Sequence, residues 1–443
     1  MRCDHIQAGP PAGLAAFGGM PILPFSGLTQ LTARHLPLQA QTDRVGTVLS
    51  GLDAGRRLRA TPEASGGERW RELAMLPRQT ADEKAGRVAA YYEGKNALVT
   101  GGFGFVGSHI TKALVELGAN VTVFDIRTDP TRDSLLNDPA LGLREKVHVI
   151  TGDLAEPQAV REAICGGNFH FIFNFAAYAT VIEKAMENPY ETIQANTLGL
   201  VNILETARGL KLRPTRIFHA STDKVYGEMD GEPYDEEKTP LRGIGVYDGA
   251  KLAADVFART YHEVFGLPTV VLRMCNIFGP YDFNLKYRLI PRAMQNLFGD
   301  PEPRGPELYF DAIEHWRDYL HVDDCVRAIL LLGFRHECRG EVFNLVATKF
   351  ASTPELLKTV VQTAYEIEKE YNLKRAEAIL ANGITIKVRP GQPGIVTIKK
   401  QRLNGDKLSR VTGFEPVIGL SEGLERTIRS YRNHFYSQRA TKL

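Results

Sequence analysis

A chain of 443 residues with 43% hydrophobic and 24% charged content has the composition of a globular protein and the length for two domains. A net charge of +2 without any sustained basic run excludes a nucleic acid or an anionic membrane surface as partner, and the apolar runs fall well short of the roughly 20 residues a membrane span needs. The five cysteines (Cys3, Cys165, Cys275, Cys325 and Cys338) form no CxxC pair and no His/Cys ligand spacing, so no metal and no disulfide framework is expected, and a reducing cytoplasm fits them.

Residues 1–92 carry Gly, Ala, Pro, Leu and Arg without helical or strand periodicity, and are expected to be a disordered extension. The pattern changes at "NALVT", a buried-strand run, followed by a glycine-rich turn and by "SHITKALVELG", apolar at helical spacing. Further strands are expected at 121–125, 147–150, 171–177, 216–221 and 269–274, separated by helices at 158–165, 189–208 and 248–265. Strands alternating with helices imply parallel βαβ units, hence an α/β fold with a Rossmann-type doubly wound parallel sheet and ligands at the carboxyl ends of its strands. That domain is expected over 93–275. Residues 276–443, richer in Pro and Gly, read as a smaller mixed α/β lobe that binds substrate, with some chain exchange between the two.

In "VTGGFGFVGSH", Gly101, Gly102, Gly104 and Gly107 lie between a strand and a helix. Glycine permits the tight turn and lets backbone amides approach a pyrophosphate, while the helix N-terminus supplies partial positive charge. Asp125 closes the next strand, placed to accept hydrogen bonds from a ribose hydroxyl; a free carboxylate there would repel a 2′-phosphate, which favours NAD. Arg127, two residues on, leaves NADP open. Asp153, in "GDL" after the third strand, is placed either to meet an adenine or to cap its own turn.

Tyr247 and Lys251 are four residues apart on one helix face. A lysine ammonium beside a phenol would lower the phenol's pKa and make it a base for a sugar hydroxyl. His219, inside a strand, reads as packed core, and Asp323 and Asp324 as the start of a helix.

With these motifs in place, residues 94 to about 435 resemble the extended short-chain dehydrogenase/reductase superfamily of nucleotide-sugar epimerases and dehydratases. The matching stretches are "TGGFGFVG", "NFAAYA", "QANTLGLVNILETAR", "STDKVYG", "YDGAK", "RMCNIFGP" and "HWRDYLHVDD". The resemblance implies that Phe105, Val106, Leu154, Ala176 and Ala177 join the glycines around NAD. It implies a catalytic set of Thr222, Tyr247 and Lys251, with Lys251 also holding the nicotinamide ribose. Tyr178 would stand beside the sugar, Asn276, Arg288 and Arg317 would approach the nucleotide diphosphate, and the helices at 189–208 and 248–265 would build a homodimer.

"TDK" bears on the subgroup. A 4-epimerase needs only the hydroxyl residue and the tyrosine, whereas a 4,6-dehydratase also needs a base for the C5 proton and an acid for the departing C6 hydroxyl. Asp223 and Lys224 suit those tasks, and resemblance to CDP-glucose 4,6-dehydratases makes the aspartate the acid and the lysine the base. For that, Lys224 must be neutral part of the time. Gly249, Tyr178 and "FGPYDFN" depart from that branch. The expected function is an NAD-dependent 4,6-dehydratase acting on a nucleotide-diphosphate hexose; a 4-epimerase or decarboxylase of the same fold is the alternative, and an NAD-binding sensor a third, disfavoured by the intact catalytic set.

Overall fold

The apolar runs become strands because β-branched and aromatic side chains pack well on a pleated surface covered on both faces. In the computed structural model, which describes residues 81–178, 182–229, 231–347, 349–388 and 397–440, six of them assemble into one parallel sheet. These are β1 (Asn96–Thr100), β2 (Asn120–Asp125), β3 (His148–Thr151), β4 (Phe171–Asn174), β5 (Arg216–Thr222) and β6 (Thr269–Met274). A seventh strand comes from later in the chain, because β10 (Val342–Leu345) pairs with β6 and gives the order β10-β6-β5-β4-β1-β2-β3. The order reverses between β1 and β4, and a doubly wound sheet offers its ligand crevice at that point.

Successive side chains on a strand face opposite ways, so each strand feeds two cores. Val99, Phe173, Phe218 and Leu272 enter one, shared with the helices Phe105–Glu116 and Val322–Phe334. Leu98, Ile172, Ile217 and Val271 enter the other, against the helices Pro157–Cys165, Gly199–Arg208 and Val246–Phe265.

The chain joins this fold before residue 93. The helix Ala81–Tyr92 seats Tyr92 in the first core, with its hydroxyl donating to the Leu330 carbonyl at 2.9 Å. The remainder of the expected extension, 1–80, lies outside the described residues.

The lobe has its own core, with Met294, Phe298, Leu356, Leu357, Val360, Leu424 and Ile428 fully buried. Its small mixed sheet centres on β9 (Trp316–His321), which pairs in parallel with β7 (Asn276–Phe278) and β13 (Lys400–Gln401) and antiparallel with β11 (Phe350–Ser352). A second, two-stranded sheet pairs β8 (Glu307–Tyr309) with β12 (Thr385–Lys387). No helix among the described residues is long and apolar enough to cross a membrane.

Candidate active site

The turn after β1 is shaped by close approach. Gly101 has φ +68°, and a Cβ on it would lie 2.6 Å from the Ala176 amide nitrogen. A Cβ on Gly107 would overlap the Gly101 carbonyl oxygen, which already accepts from the Gly104 amide at 2.9 Å. The helix Phe105–Glu116 begins at Gly104 with no side-chain cap and no acid in its first turn, so its leading amides remain open to an anion. This arrangement fits a dinucleotide pyrophosphate. Gly107→Ala should therefore weaken NAD binding roughly ten- to hundred-fold, since overpacking costs about 1–3 kcal/mol, as read by calorimetric titration.

Asp125 anchors the same turn. Its carboxylate accepts from the Phe103 amide and the Arg127 amide, each at 3.0 Å, and the Arg132 guanidinium stands 3.8 Å away. The Arg127 side chain is exposed. The Asp153 carboxylate caps its own loop, accepting from the Ala155 amide at 2.9 Å, while Leu154 is buried in the second core. Ala176 and Ala177 follow β4 at the crevice, where the Ala176 amide donates to the Thr100 hydroxyl at 3.3 Å. Asn196 clamps the Tyr178 backbone on both sides, accepting from its amide and donating to its carbonyl at 2.8 Å each.

Thr222 ends β5 and caps the short turn Asp223–Tyr226, its hydroxyl oxygen accepting from the Lys224 amide at 3.3 Å and the hydroxyl donating to Asp223 Oδ1 at 3.2 Å. Across the crevice the helix Val246–Phe265 presents Tyr247 and Lys251, both buried. Lys224 Nζ stands 5.5 Å from the Tyr247 ring centroid. The structure thus brings Thr222, Asp223, Lys224 and Tyr247 together.

Lys251 behaves otherwise than the spacing suggested. Its Nζ donates to the Ala220 carbonyl at 2.7 Å, and burial pushes it down to about 8. The Tyr247 phenol is pushed above its usual range by burial and by the Asp248 and Asp223 carboxylates, with Arg288 as the opposing charge. The expected lowering of the phenol by Lys251 is corrected: the amine is docked on β5 and its own charge is disfavoured by desolvation. His219 is packed core as expected. Its Nδ1 lies 3.2 Å from Asn174 Nδ2, and burial, with Lys251 adding, keeps its ring well below its usual titration.

Burial pushes the Asp223 carboxyl up to about 6, against the pull of Arg317 and Lys224 and the Thr222 hydrogen bond. Its Oδ2 has no hydrogen-bond partner among the described residues. Arg317, on β9, donates to the backbone carbonyls of Trp316, Lys399 and Ile398. Asn276 opens β7 beside β9, in register with Tyr319. Arg288 spans the lobe and the cofactor turn: it pairs with Asp282 at 3.2 Å, donates to the Ile277 carbonyl at 2.7 Å, and its guanidinium carbon stands 5.5 Å from the Phe105 ring centroid.

Two buried carboxyls here were not singled out from sequence. Asp318 is pushed up to about 7 by burial, with Asp223 adding to the shift. Asp248 lies inside the YxxxK stretch, and that position was its only signal.

Residues 98–427 match the family model described as GDP-mannose 4,6 dehydratase. The chain belongs to this family. It is thus an enzyme of the NAD-dependent nucleotide-sugar dehydratase and epimerase group, as the motifs implied. A dTDP-glucose 4,6-dehydratase of Streptomyces niveus is 30% identical over 350 residues, spanning 76% of this chain and 93% of that protein. Among solved structures, an epimerase from Methanothermobacter thermautotrophicus superposes with a TM-score of 0.66 at 26% identity, over 80% of this chain and 97% of the other. The dTDP-glucose 4,6-dehydratase of Streptomyces venezuelae, solved with NAD bound, gives 0.62 at 25% identity, over 76% and 97%. These two dehydratases act on a dTDP-sugar, whereas the sequence motifs leaned toward the CDP-glucose branch.

Proposed function

We propose that the enzyme is a nucleotide-sugar 4,6-dehydratase, converting a nucleotide-diphosphate hexose into its 4-keto-6-deoxy form. The observation that carries this reading is the turn Asp223–Tyr226, which sets a buried carboxyl, pushed up to about 6 by burial, and an amine side by side opposite Tyr247. An epimerase has no need of either.

The glycine turn, the open helix N-terminus and Asp125 would hold NAD, with Phe105, Val106, Leu154, Ala176 and Ala177 lining its path and Lys251 reaching its ribose. When bound, NAD supplies the hydride acceptor for C4 and the donor for C6. Tyr247, with Thr222 beside it, takes the C4 hydroxyl proton. That step asks the phenol to ionise, which the cationic Arg288 favours and burial opposes. With C4 a ketone, the C5 proton is acidic and Lys224 removes it. Asp223, about half protonated near pH 6, donates its proton to the C6 hydroxyl, which leaves as water. Tyr178 would face the sugar, and Asn276, Arg288 and Arg317 the diphosphate.

Incubation with CDP-, dTDP-, UDP- and GDP-hexoses tests the reading. A 4-keto-6-deoxy product supports it, and C4 inversion alone would replace it with the epimerase reading, which the resemblance to the methanogen epimerase keeps in view.

The proposed assembly is a homodimer, built through the helices Pro189–Ile193 and Val246–Phe265. Val256, Phe257, Val264 and Phe265 are exposed on the helix Val246–Phe265, and Tyr190 and Ile193 on the helix Pro189–Ile193. Apolar side chains in such numbers mark an interaction face. Phe257→Glu should convert a dimer into a monomer in sedimentation velocity, and an unchanged sedimentation coefficient would place the interface elsewhere. The described cysteines are free thiols, which suits the cytoplasm.

A further inference from the structure

Two glycines draw the catalytic turn and the catalytic helix together. The loop at 242–245 is tied to the turn Asp223–Tyr226 by the Arg242 and Gly243 amides, which donate to the Val225 carbonyl at 2.9 and 3.0 Å. A Cβ on Gly243 would lie 3.3 Å from both the Asp248 Cβ and the Lys224 carbonyl oxygen, so the glycine lets the start of the helix pack against the backbone of the turn. Gly245, the residue before the helix, lacks the Cβ that would stand 2.8 Å from Asp248 Oδ2. The third residue of the helix can therefore fold its carboxylate back, one oxygen to the Gly245 amide in the manner of a capping box. The other oxygen, Oδ1, is buried and has no hydrogen-bond partner among the described residues. An orphaned carboxylate oxygen beside an active-site amine is costly unless it meets a charge.

We propose that Asp248 is a positioning residue for Lys224: its unpartnered oxygen steers the amine over the Tyr247 ring and stabilises the ammonium that forms when the amine takes a proton from C5. The inference rests on Lys224 being the C5 base. In that step the amine lone pair takes the proton, the C5–H bonding pair moves toward the C4 carbonyl, and Lys224 becomes cationic. At the close of the turnover a proton returns from the ammonium to C5, so nothing is consumed.

Around Asp248, Lys224 and Asp223 come from the turn after β5, Tyr247 from its own helix, and Arg288 stands beyond the phenol. Burial pushes the Asp248 carboxyl up, while the Lys224 charge and the Gly245 amide pull it down.

Asp248→Asn separates positioning from capping, because the amide oxygen can still accept from Gly245 while the charge is gone; Asp248→Ser is the second neutral variant. The measurement is deuterium incorporation at C5 from deuterium oxide, with dTDP-glucose and CDP-glucose, across pH. A neighbouring carboxylate favours the ammonium, so its removal should move the rising limb of exchange down by about one pH unit. The weaker base should lower the plateau roughly three- to ten-fold, with KM unchanged. The midpoint of Lys224 acetylation by acetic anhydride, read by mass spectrometry, should move by the same amount without any turnover. If both curves stay in place in both neutral variants, Asp248 is a helix cap only and the inference falls. If Lys224→Ala retains C5 exchange, the assignment of the base fails instead, while the acetylation midpoint still reports whether Asp248 acts on the amine.

Discussion

Lys224→Ala is expected to stop dehydration while leaving C4 oxidation in place. The truncation removes the only amine in the turn Asp223–Tyr226, and general base catalysis is worth roughly 10²–10⁴ in rate, so C5 exchange should fall by that factor. Tyr247, Thr222 and Lys251 are untouched, and the turn keeps its cap because the Lys224 amide, not its side chain, bonds to Thr222. A 4-keto-hexose that still carries its C6 hydroxyl should accumulate, and reduction with borodeuteride would place deuterium at C4. Lys224→Arg should not rescue, since a guanidinium restores the charge but cannot act as a base at these pH values. C5 exchange at the wild-type rate in Lys224→Ala would remove the amine from the mechanism.

Much of the Rossmann half was legible because its signals are local. "NALVT", the glycine turn and the following helix lie within one stretch of chain, and β6 at Thr269–Met274 matches its predicted bounds. The helix expected over 189–208 is instead divided by a wide turn, Gln194–Leu198, between Pro189–Ile193 and Gly199–Arg208. Asn196 sits in that turn with its amide on the Tyr178 backbone, a contact that no helical periodicity announces. The lobe was not legible strand by strand: β7, β8, β11 and β12 are three residues each, too short for an alternation to register. The return of β10 to the large sheet depends on pairing with β6 some 70 residues earlier, which a sequence pattern does not encode.

At the site, the residue types in "STDK" and "YDGAK" were readable but their electrostatics were not. Spacing placed Tyr247 and Lys251 on one helix face, yet which oxygen the lysine meets depends on β5 passing beneath it. Likewise the close approach of the loop at 242–245 to both the Lys224 backbone and Asp248 depends on two glycines.

Asp223→Asn should make the protein more stable above neutral pH and nearly inactive. Burial raises the Asp223 carboxyl from 3.8 to about 6, so the folded state holds a proton that the unfolded chain has already lost between those values. A raised carboxyl pKa is a destabilisation that is absent below about pH 3.8, grows as pH rises, and is complete above about 6. At 1.36 kcal/mol for each unit, ionised Asp223 costs the fold about 3 kcal/mol at pH 8. Asparagine keeps an oxygen for the Thr222 hydroxyl and never ionises. Its urea midpoint should therefore exceed that of the wild type at pH 8, and the two should converge at pH 4. Catalysis goes the other way, because the amide has no acidic proton to give the C6 hydroxyl, and dehydration should fall roughly 10²–10⁴-fold while C5 exchange persists. A stability gain of equal size at both pH values would mean that the Asp223 carboxyl titrates in the fold as it does in the unfolded chain. The predicted divergence ties the acid to its place: the site keeps a buried carboxyl at a cost in stability because only a carboxyl near half protonation can both donate to the leaving hydroxyl and be recharged by solvent.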